Sequence, residues 1–127
     1  MKIEHIAVWA KDLEKLRNFY VSYFGMLSNE LYHNKNTGFR SYFLSFPEGS
    51  ARIEIMSRDD VSESTLKEII GLSHFAVSVG SKEKVDELAE IFEKDGFTIA
   101  SKPRTTGDGY YECAVLDPEG NKVEITV

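Results

Sequence analysis

Two histidines and two glutamates recur at nearly equal spacing along the chain, and together they could bind a metal ion. Glu54 follows His5 by 49 positions, and Glu124 follows His74 by 50. Each histidine begins a His-x-Ala-Val stretch, and each glutamate lies between branched apolar residues. Imidazole nitrogens and carboxylate oxygens suit Zn, Ni, Co, Mn or Fe(II), and four such ligands leave positions of an octahedral ion open to water or substrate. The set therefore predicts one divalent metal ion at a reactive site.

The face on which these four side chains lie follows from the strand period. Because successive side chains point to opposite faces, His5 opposes Val8, and Glu124 opposes Val123 and Ile125. A lone strand histidine is usually a hydrogen-bonded spectator, and a strand glutamate near a turn is usually solvated. Recurrence of the same types in both halves, always opposite the apolar face, favours metal binding over that simpler interpretation.

The elements that must position these residues also occur twice. Each half reads as a strand, an amphipathic helix with an N-cap and a glycine at its end, and three further strands. In the first half these are strand 3–10, a helix from Asp12 to Gly25, and strands near 28–33, 40–46 and 51–56. In the second half they are strand 72–79, a helix from Ser81 to Gly96, and strands 97–101, 110–116 and 122–127.

This repeat predicts an α+β fold of two βαβββ modules. We expect one domain over 1–127, with modules 1–57 and 71–127 joined by a connector at 58–70 that contains one helical turn around Leu66, Ile69 and Ile70. Each helix would cover the outer face of its own sheet. If the sheets pair into a half-open barrel, His5, Glu54, His74 and Glu124 can converge in one cleft.

Composition excludes several classes of function. Charged residues make up 28% and hydrophobic residues 42%, as in soluble globular proteins. The net charge of -6, with Lys and Arg scattered, argues against a nucleic-acid partner. No apolar run is long enough to span a bilayer, no secretory segment is evident, and the single Cys113 cannot form an internal disulfide, so we expect a cytoplasmic protein. Cys113 itself reads as a small buried hydrophobe rather than a catalytic thiol.

The sequence resembles the vicinal oxygen chelate superfamily, and in particular small bacterial glyoxalase I-like (lactoylglutathione lyase-related) proteins, over essentially its whole length. His5, Ile53-Glu54, His74 and the segment Asp117-Pro118-Glu119-Gly120-Asn121-Lys122-Val123-Glu124 carry this resemblance. It implies the glyoxalase/bleomycin resistance/dioxygenase fold and a metal-dependent lyase or isomerase. Such an enzyme moves a proton between adjacent carbons of a small 2-oxoaldehyde-thiol adduct through an enediolate, with Glu124 or Glu54 as the base. We prefer Glu124, and both remain open.

Other functions on the same scaffold stay open as well. A dioxygenase of the superfamily would use two histidines and one glutamate, a thiol transferase would also need fewer carboxylate ligands, and a resistance protein would bind a small molecule without metal. Trp9 and Arg58 stand where glyoxalase I has an arginine and an asparagine that help hold glutathione. Three classes of substrate therefore stay open: a glutathione adduct, another thiol adduct or a different small oxygenated molecule.

Five further residues are candidates for contact with substrate. Trp9 shares a strand face with His5, and packing in the core is its alternative role. Arg40 and Tyr42 share a face of their strand, where the guanidinium could hold a carboxylate and the ring could again belong to the core. Arg104 and Tyr110 flank a glycine-bearing loop. We expect a homodimer, with the cleft formed within one chain or between two.

Overall fold

The computed structural model describes residues 4–49, 51–61, 72–107 and 109–127. The chain divides into two compact units, Met1–Thr65 and Leu66–Val127. Each unit has one helix and one sheet, and each is described by itself. Ile3 of the first predicted strand and the predicted helical turn at Leu66, Ile69 and Ile70 lie outside the described residues.

The first unit contains β1 (His5–Trp9), α1 (Leu13–Phe24), β2 (Leu27–Ser28), β3 (Tyr32–His33), β4 (Arg40–Ser45) and β5 (Arg52–Ser57). Its sheet has the order β1-β5-β4-β2, and β3 also pairs with β4. The first and last strands, β1 and β5, are parallel, and the other pairs are antiparallel. The strand that carries His5 thus lies directly beside the strand that carries Glu54.

Helix α1 begins and ends where the sequence predicts. The Asp12 side chain accepts a hydrogen bond from the Lys15 amide at 3.0 Å, which satisfies one of the free N–H groups of the first turn. At the other end Gly25 has φ of 64°, a left-handed conformation that a residue without Cβ adopts at little cost. Leu16 and Tyr20 are fully buried, and each such side chain contributes roughly 1.5–3 kcal/mol by leaving water. This burial holds the helix on one face of the sheet.

The single strand predicted near 28–33 is two short strands in the structure. Asn29 lies between them, and its side-chain oxygen accepts a hydrogen bond from the Phe43 amide at 2.7 Å. A side chain here replaces the backbone partner that a continuing strand would supply, as Asn side chains often do. The chain therefore pairs with β4 along β2, separates from it, and pairs with it again along β3.

The second unit contains β6 (His74–Ser78), α2 (Lys82–Lys94), β7 (Ile99–Thr105), β8 (Tyr111–Leu116) and β9 (Lys122–Thr126). Its sheet has the order β6-β9-β8-β7, with β6 and β9 parallel. Ser81 caps α2, and Gly96 follows its last residues with φ of 83°. The α+β class and the βαβββ order are confirmed, with the extra short strand in the first unit.

Strand β7 is longer than predicted, because it continues through Pro103 to Thr105. Proline cannot donate to a sheet ladder, so it is tolerated mainly on edge strands and at bulges. Strand β7 is at the end of its sheet, and its pairing with β8 has register shifts between Ile99 and Ser101 and between Ser101 and Arg104. Both conditions for an internal proline are met.

A rigid turn joins β8 to β9 and fixes the position of Glu124. Asp117 is only 4% exposed, and its carboxylate accepts hydrogen bonds from the amides of Glu119 and Asn121 and from the Asn121 side chain. With the turn fixed, the antiparallel register sets Glu124 opposite Ala114. Among the described residues no helix is long and apolar enough to cross a membrane.

Candidate metal centre

The open face of the first unit is the face of the sheet away from α1, and the strand register shows which residues share it. Residues paired across neighbouring strands project to the same face. His5 pairs with Arg52, Ala7 with Glu54, and Glu54 in turn with Phe43. The alternate set, including Ile53 and Ile55, is buried on the helix side. His5 and Glu54 therefore lie on the open face, as predicted.

The His5 ring directs one nitrogen toward Glu54 and the other toward Glu4. His5 Nε2 lies 3.9 Å from Glu54 Oε2, and His5 Nδ1 donates to the Glu4 carboxylate. This hydrogen bond, with a smaller contribution from the Arg52 guanidinium, holds the pKa of Glu4 below its ordinary value. His5 is 39% exposed in its side chain and Glu54 is 16% exposed. Solvent and small ligands can therefore reach the pair.

The second unit repeats this arrangement with different neighbours. His74 Nε2 lies 3.2 Å from Glu124 Oε2, and the Ser73 hydroxyl lies 3.3 Å from His74 Nδ1. Glu124 is bracketed by two small residues, Ala76 on β6 and Ala114 on β8. In the first unit the corresponding neighbours of Glu54 are Ala7 and Phe43. The two carboxylates therefore differ in the space beside them.

Each His–Glu pair has the chemistry and nearly the spacing of two ligands to one ion. Nitrogen and oxygen donors that share an ion at about 2.1 Å lie about 3.0–3.4 Å apart. The His74–Glu124 separation falls in this range, and the His5–Glu54 separation of 3.9 Å is slightly wider. Two ligands alone make a weak site, and the described part of neither unit brings three metal-ligating side chains together. Each pair fits half of a four-ligand set.

The sequence pattern of the Glyoxalase/Bleomycin resistance protein/Dioxygenase superfamily matches residues 2–125. The chain belongs to this superfamily. A relative within reach of direct sequence comparison is the uncharacterised protein YwkD of Bacillus subtilis strain 168. It is 39% identical over 90 residues, which are 69% of this chain and 70% of the relative.

Solved structures of the superfamily share the fold. A glyoxalase family protein from Enterococcus faecalis matches with a TM-score of 0.80 and 24% identity over 99% of this chain and 97% of its own. The trypanothione-dependent glyoxalase I of Leishmania major matches with a TM-score of 0.79 and 23% identity, covering 99% and 86%. Glyoxalase I of Zea mays gives 0.82 and 22%, and this chain spans only 44% of its length. At these identities the likeness establishes the fold alone.

The strand register of the first unit places two of the predicted substrate contacts, Tyr42 and Arg40, on the face away from Glu54. Tyr42 pairs with Ile55, so it lies on the helix side, where it is 8% exposed and donates to Glu14 Oε1 at 2.6 Å. That hydrogen bond, together with burial, raises the pKa of Tyr42. Arg40 precedes Tyr42 by two positions, so its side chain projects to the same face of the sheet, and it pairs with Ser57. Tyr42 belongs to the core, and Arg40 lies on the opposite face from Glu54.

The other predicted contacts stay accessible. Trp9 is 40% exposed on the open face of the first unit, with Phe39 edge-on at 6.2 Å between ring centres and the Arg58 guanidinium 5.4 Å from its ring. Trp9 and Arg58 therefore contact each other. Arg104 pairs with Glu112 on the open face of the second unit. Tyr110 is an exposed loop residue.

Three residues beside His5 were missed by the sequence analysis. Phe43 contacts the His5 ring edge-on at 5.4 Å between centres, Arg52 lies over the Phe43 ring at 4.1 Å, and Arg52 pairs with Glu4. A signal for Phe43 was present, because one predicted strand ends at Phe46 and its partner begins at Ala51, and this spacing pairs Phe43 with Glu54. Glu4 has no such signal, because it lies in the predicted strand 3–10 but precedes the observed β1.

Proposed function

We propose that this protein is a metal-dependent lyase or isomerase of the glyoxalase I type, acting on a small 2-oxoaldehyde-thiol adduct. One observation carries the proposal. The same His–Glu pair, with Nε2 directed at the carboxylate, stands on the open face of both units. Membership in the superfamily and the fold shared with glyoxalase I enzymes support it.

Four side chains would hold the ion: His5, Glu54, His74 and Glu124. A divalent cation bound there would polarise the neighbouring oxygens of a substrate and so acidify the carbon-bound hydrogen between them. The protein itself must then supply a base that takes this proton and returns it to the adjacent carbon. A carboxylate suits both steps because it can accept and donate at the same oxygen.

Glu124 is the better candidate for the proton transfer. Ala76 and Ala114 beside it leave room for its carboxylate to turn and for a substrate carbon to approach. Glu54 instead pairs with the bulky Phe43. We assign Glu54 mainly to holding the ion and Glu124 to moving the proton, and this division rests on the size of the neighbours.

The experiment combines elemental analysis with turnover for wild type, Glu54→Gln and Glu124→Gln. Substrates are methylglyoxal premixed with glutathione or with other thiols. We expect one equivalent of a divalent metal in wild type, a large loss of metal in Glu54→Gln, and loss of turnover in both variants. Glu112→Gln is the matched control, because Glu112 is a part-buried carboxylate on the same strand face as Ala114.

Other results would point to the competing functions. A Glu54→Gln variant that keeps its metal favours a dioxygenase or thiol transferase, in which that carboxylate is not a ligand. Wild type that binds no ion but retains a small molecule favours a resistance protein. Either result contradicts the proposed lyase.

The assembly and the location of the protein remain proposals of the same kind. We propose a cytoplasmic homodimer that takes a small-molecule substrate and no nucleic acid, in keeping with the charge of -6. Sedimentation at micromolar concentration tests the dimer. A single monomer boundary would contradict it.

A further inference from the structure

His5 belongs to a closed ring of contacts that is not repeated around its counterpart His74 among the described residues. Its Nδ1 donates to Glu4, Glu4 pairs with Arg52, Arg52 lies over the Phe43 ring, and Phe43 meets the edge of the His5 ring. The Arg52 guanidinium carbon lies 4.1 Å from the centre of the Phe43 ring, and the centres of the Phe43 and His5 rings lie 5.4 Å apart. Four interactions of different kinds therefore close the ring that fixes the position and the tilt of one imidazole.

The chemistry of Glu4 decides which ring nitrogen carries the proton. An ionised carboxylate can only accept hydrogen bonds, so the nitrogen facing it must be protonated. Neutral imidazole has one protonated nitrogen, and with Nδ1 protonated the lone pair is at Nε2. Nε2 is the nitrogen that faces Glu54. Glu4 thus selects the tautomer in which Nε2 carries the lone pair that a metal ligand needs. This nitrogen lies on the side of Glu54, the neighbouring proposed ligand.

Among the described residues of the second unit, the neighbour of His74 Nδ1 makes no such selection. The Ser73 hydroxyl beside His74 Nδ1 can donate or accept, and at 3.3 Å the contact is long. Lys122 rather than an arginine takes the position beside His74 that Arg52 has beside His5. Ala114 replaces Phe43 opposite the glutamate. The two half-sites have the same ligands but different supports.

We propose that Glu4, held in place by Arg52, is a positioning residue that fixes His5 with Nδ1 protonated and Nε2 presented to the ion. The inference rests on the proposed metal-binding function and extends it to a residue outside the ligand set. Partners that orient a ligating histidine through its second nitrogen typically change metal affinity 10–100-fold when they are removed. Phe43 and Arg52 keep the ring and the carboxylate aligned.

Two measurements on Glu4→Ala, Glu4→Gln and wild type test the proposal. The first is the tautomer of His5 in metal-free protein, read from the ring nitrogen shifts of ¹⁵N-labelled histidine. The second is the affinity for Zn²⁺ and Ni²⁺ by competition with a chromophoric chelator. Ser73→Ala is the matched control, because it removes the corresponding neighbour of His74. Glu4 is well exposed, so its substitution leaves the core intact.

We expect Glu4→Ala to lose the Nδ1-protonated state as the dominant form and to weaken ion binding about 10–100-fold. Glu4→Gln keeps an acceptor oxygen and should recover most of that loss, whereas Ser73→Ala should change affinity about threefold or less. An unchanged His5 tautomer in Glu4→Ala overturns the proposal, as does an equal loss of affinity in Ser73→Ala. Wild type that binds neither ion overturns the proposed function, and the tautomer measurement then decides the role of Glu4 alone.

Discussion

Replacement of Tyr42 by phenylalanine separates a core residue from a substrate contact. The Tyr42 ring is buried against α1, its hydroxyl donates to Glu14 at 2.6 Å, and the Arg17 guanidinium lies 5.0 Å from the ring centre. Phenylalanine keeps the ring and removes only the hydroxyl. The change therefore isolates one hydrogen bond between a strand and the helix.

The expected cost is modest and can be estimated. Hydrogen bonds to charged groups contribute about 1.5–3 kcal/mol, but Glu14 is on the exposed side of the helix and regains water, so we expect about 1 kcal/mol. For a chain of this size that corresponds to a fall of about 3–5 °C in Tm. Metal content and turnover should match wild type, because Tyr42 is on the other face from Glu54.

The pH dependence of this difference has a definite sign. The hydrogen bond to Glu14 and burial raise the pKa of Tyr42 above its ordinary value of 10.0. A group with a raised folded-state pKa stabilises the protein fully below its unfolded pKa and loses that contribution as pH rises through the folded value. The gap between wild type and Tyr42→Phe should therefore be full at pH 7 and shrink above about pH 10.

Urea unfolding at pH 7 and pH 10.5, together with metal content, checks this reasoning. Tyr110→Phe is the control, because Tyr110 is exposed and should change stability by less than about 0.5 kcal/mol. A Tyr42→Phe variant with wild-type stability and reduced turnover would refute the placement of Tyr42 in the core. It would favour the other role that the sequence left open for this residue, contact with substrate.

Three further predictions concern the scaffold and the thiol. Gly25→Ala should cost about 1 kcal/mol in urea unfolding, because φ is 64° and an added Cβ meets nothing within 4 Å, while Gly107→Ala, which is free of this constraint, should cost almost nothing. Asp117→Ala should cost about 2–4 kcal/mol by leaving turn amides without their acceptor, with Asp117→Asn closer to wild type; a loss below about 1 kcal/mol would contradict this. Burial raises the pKa of Cys113 to about 11, so a disulfide reagent at pH 8 should react slowly with native protein and fully after unfolding; rapid native reaction would disprove it.

Much of the fold could be predicted because its signals are local. A capping side chain at Asp12 or Ser81 and a glycine after each helix mark the ends from neighbouring residues alone. Strand alternation correctly put His5 and Glu54 on one face, since the period of two is a property of the backbone. Repetition of these signals then gave the order of elements in both units.

The errors arose where one residue depends on a distant partner. Asn29 interrupts the predicted strand because it bonds to Phe43, fourteen positions away. Strand β4 has aromatic residues on both faces, Tyr42 and Phe43, so alternation alone could not say which one packs on the helix. The register with β5 decides it, and that register depends on the turn. Glu4 lies inside the predicted strand 3–10, but β1 begins only at His5, so the period of the strand does not place its side chain.

Within each sheet the candidate histidine and glutamate ligands lie on strands that differ in the number of neighbouring strands to which they are hydrogen-bonded. The glutamate strands, β5 and β9, are hydrogen-bonded on both sides. The histidine strands, β1 and β6, lie at one end of the order and, within the part of the chain that the structure describes, each pairs with a single strand of its sheet. Fraying of a terminal strand needs fewer broken bonds than opening the middle of a sheet. Release of the proposed ion would accordingly begin with departure of an imidazole. The carboxylates would stay in place and would be the first groups to bind the next ion.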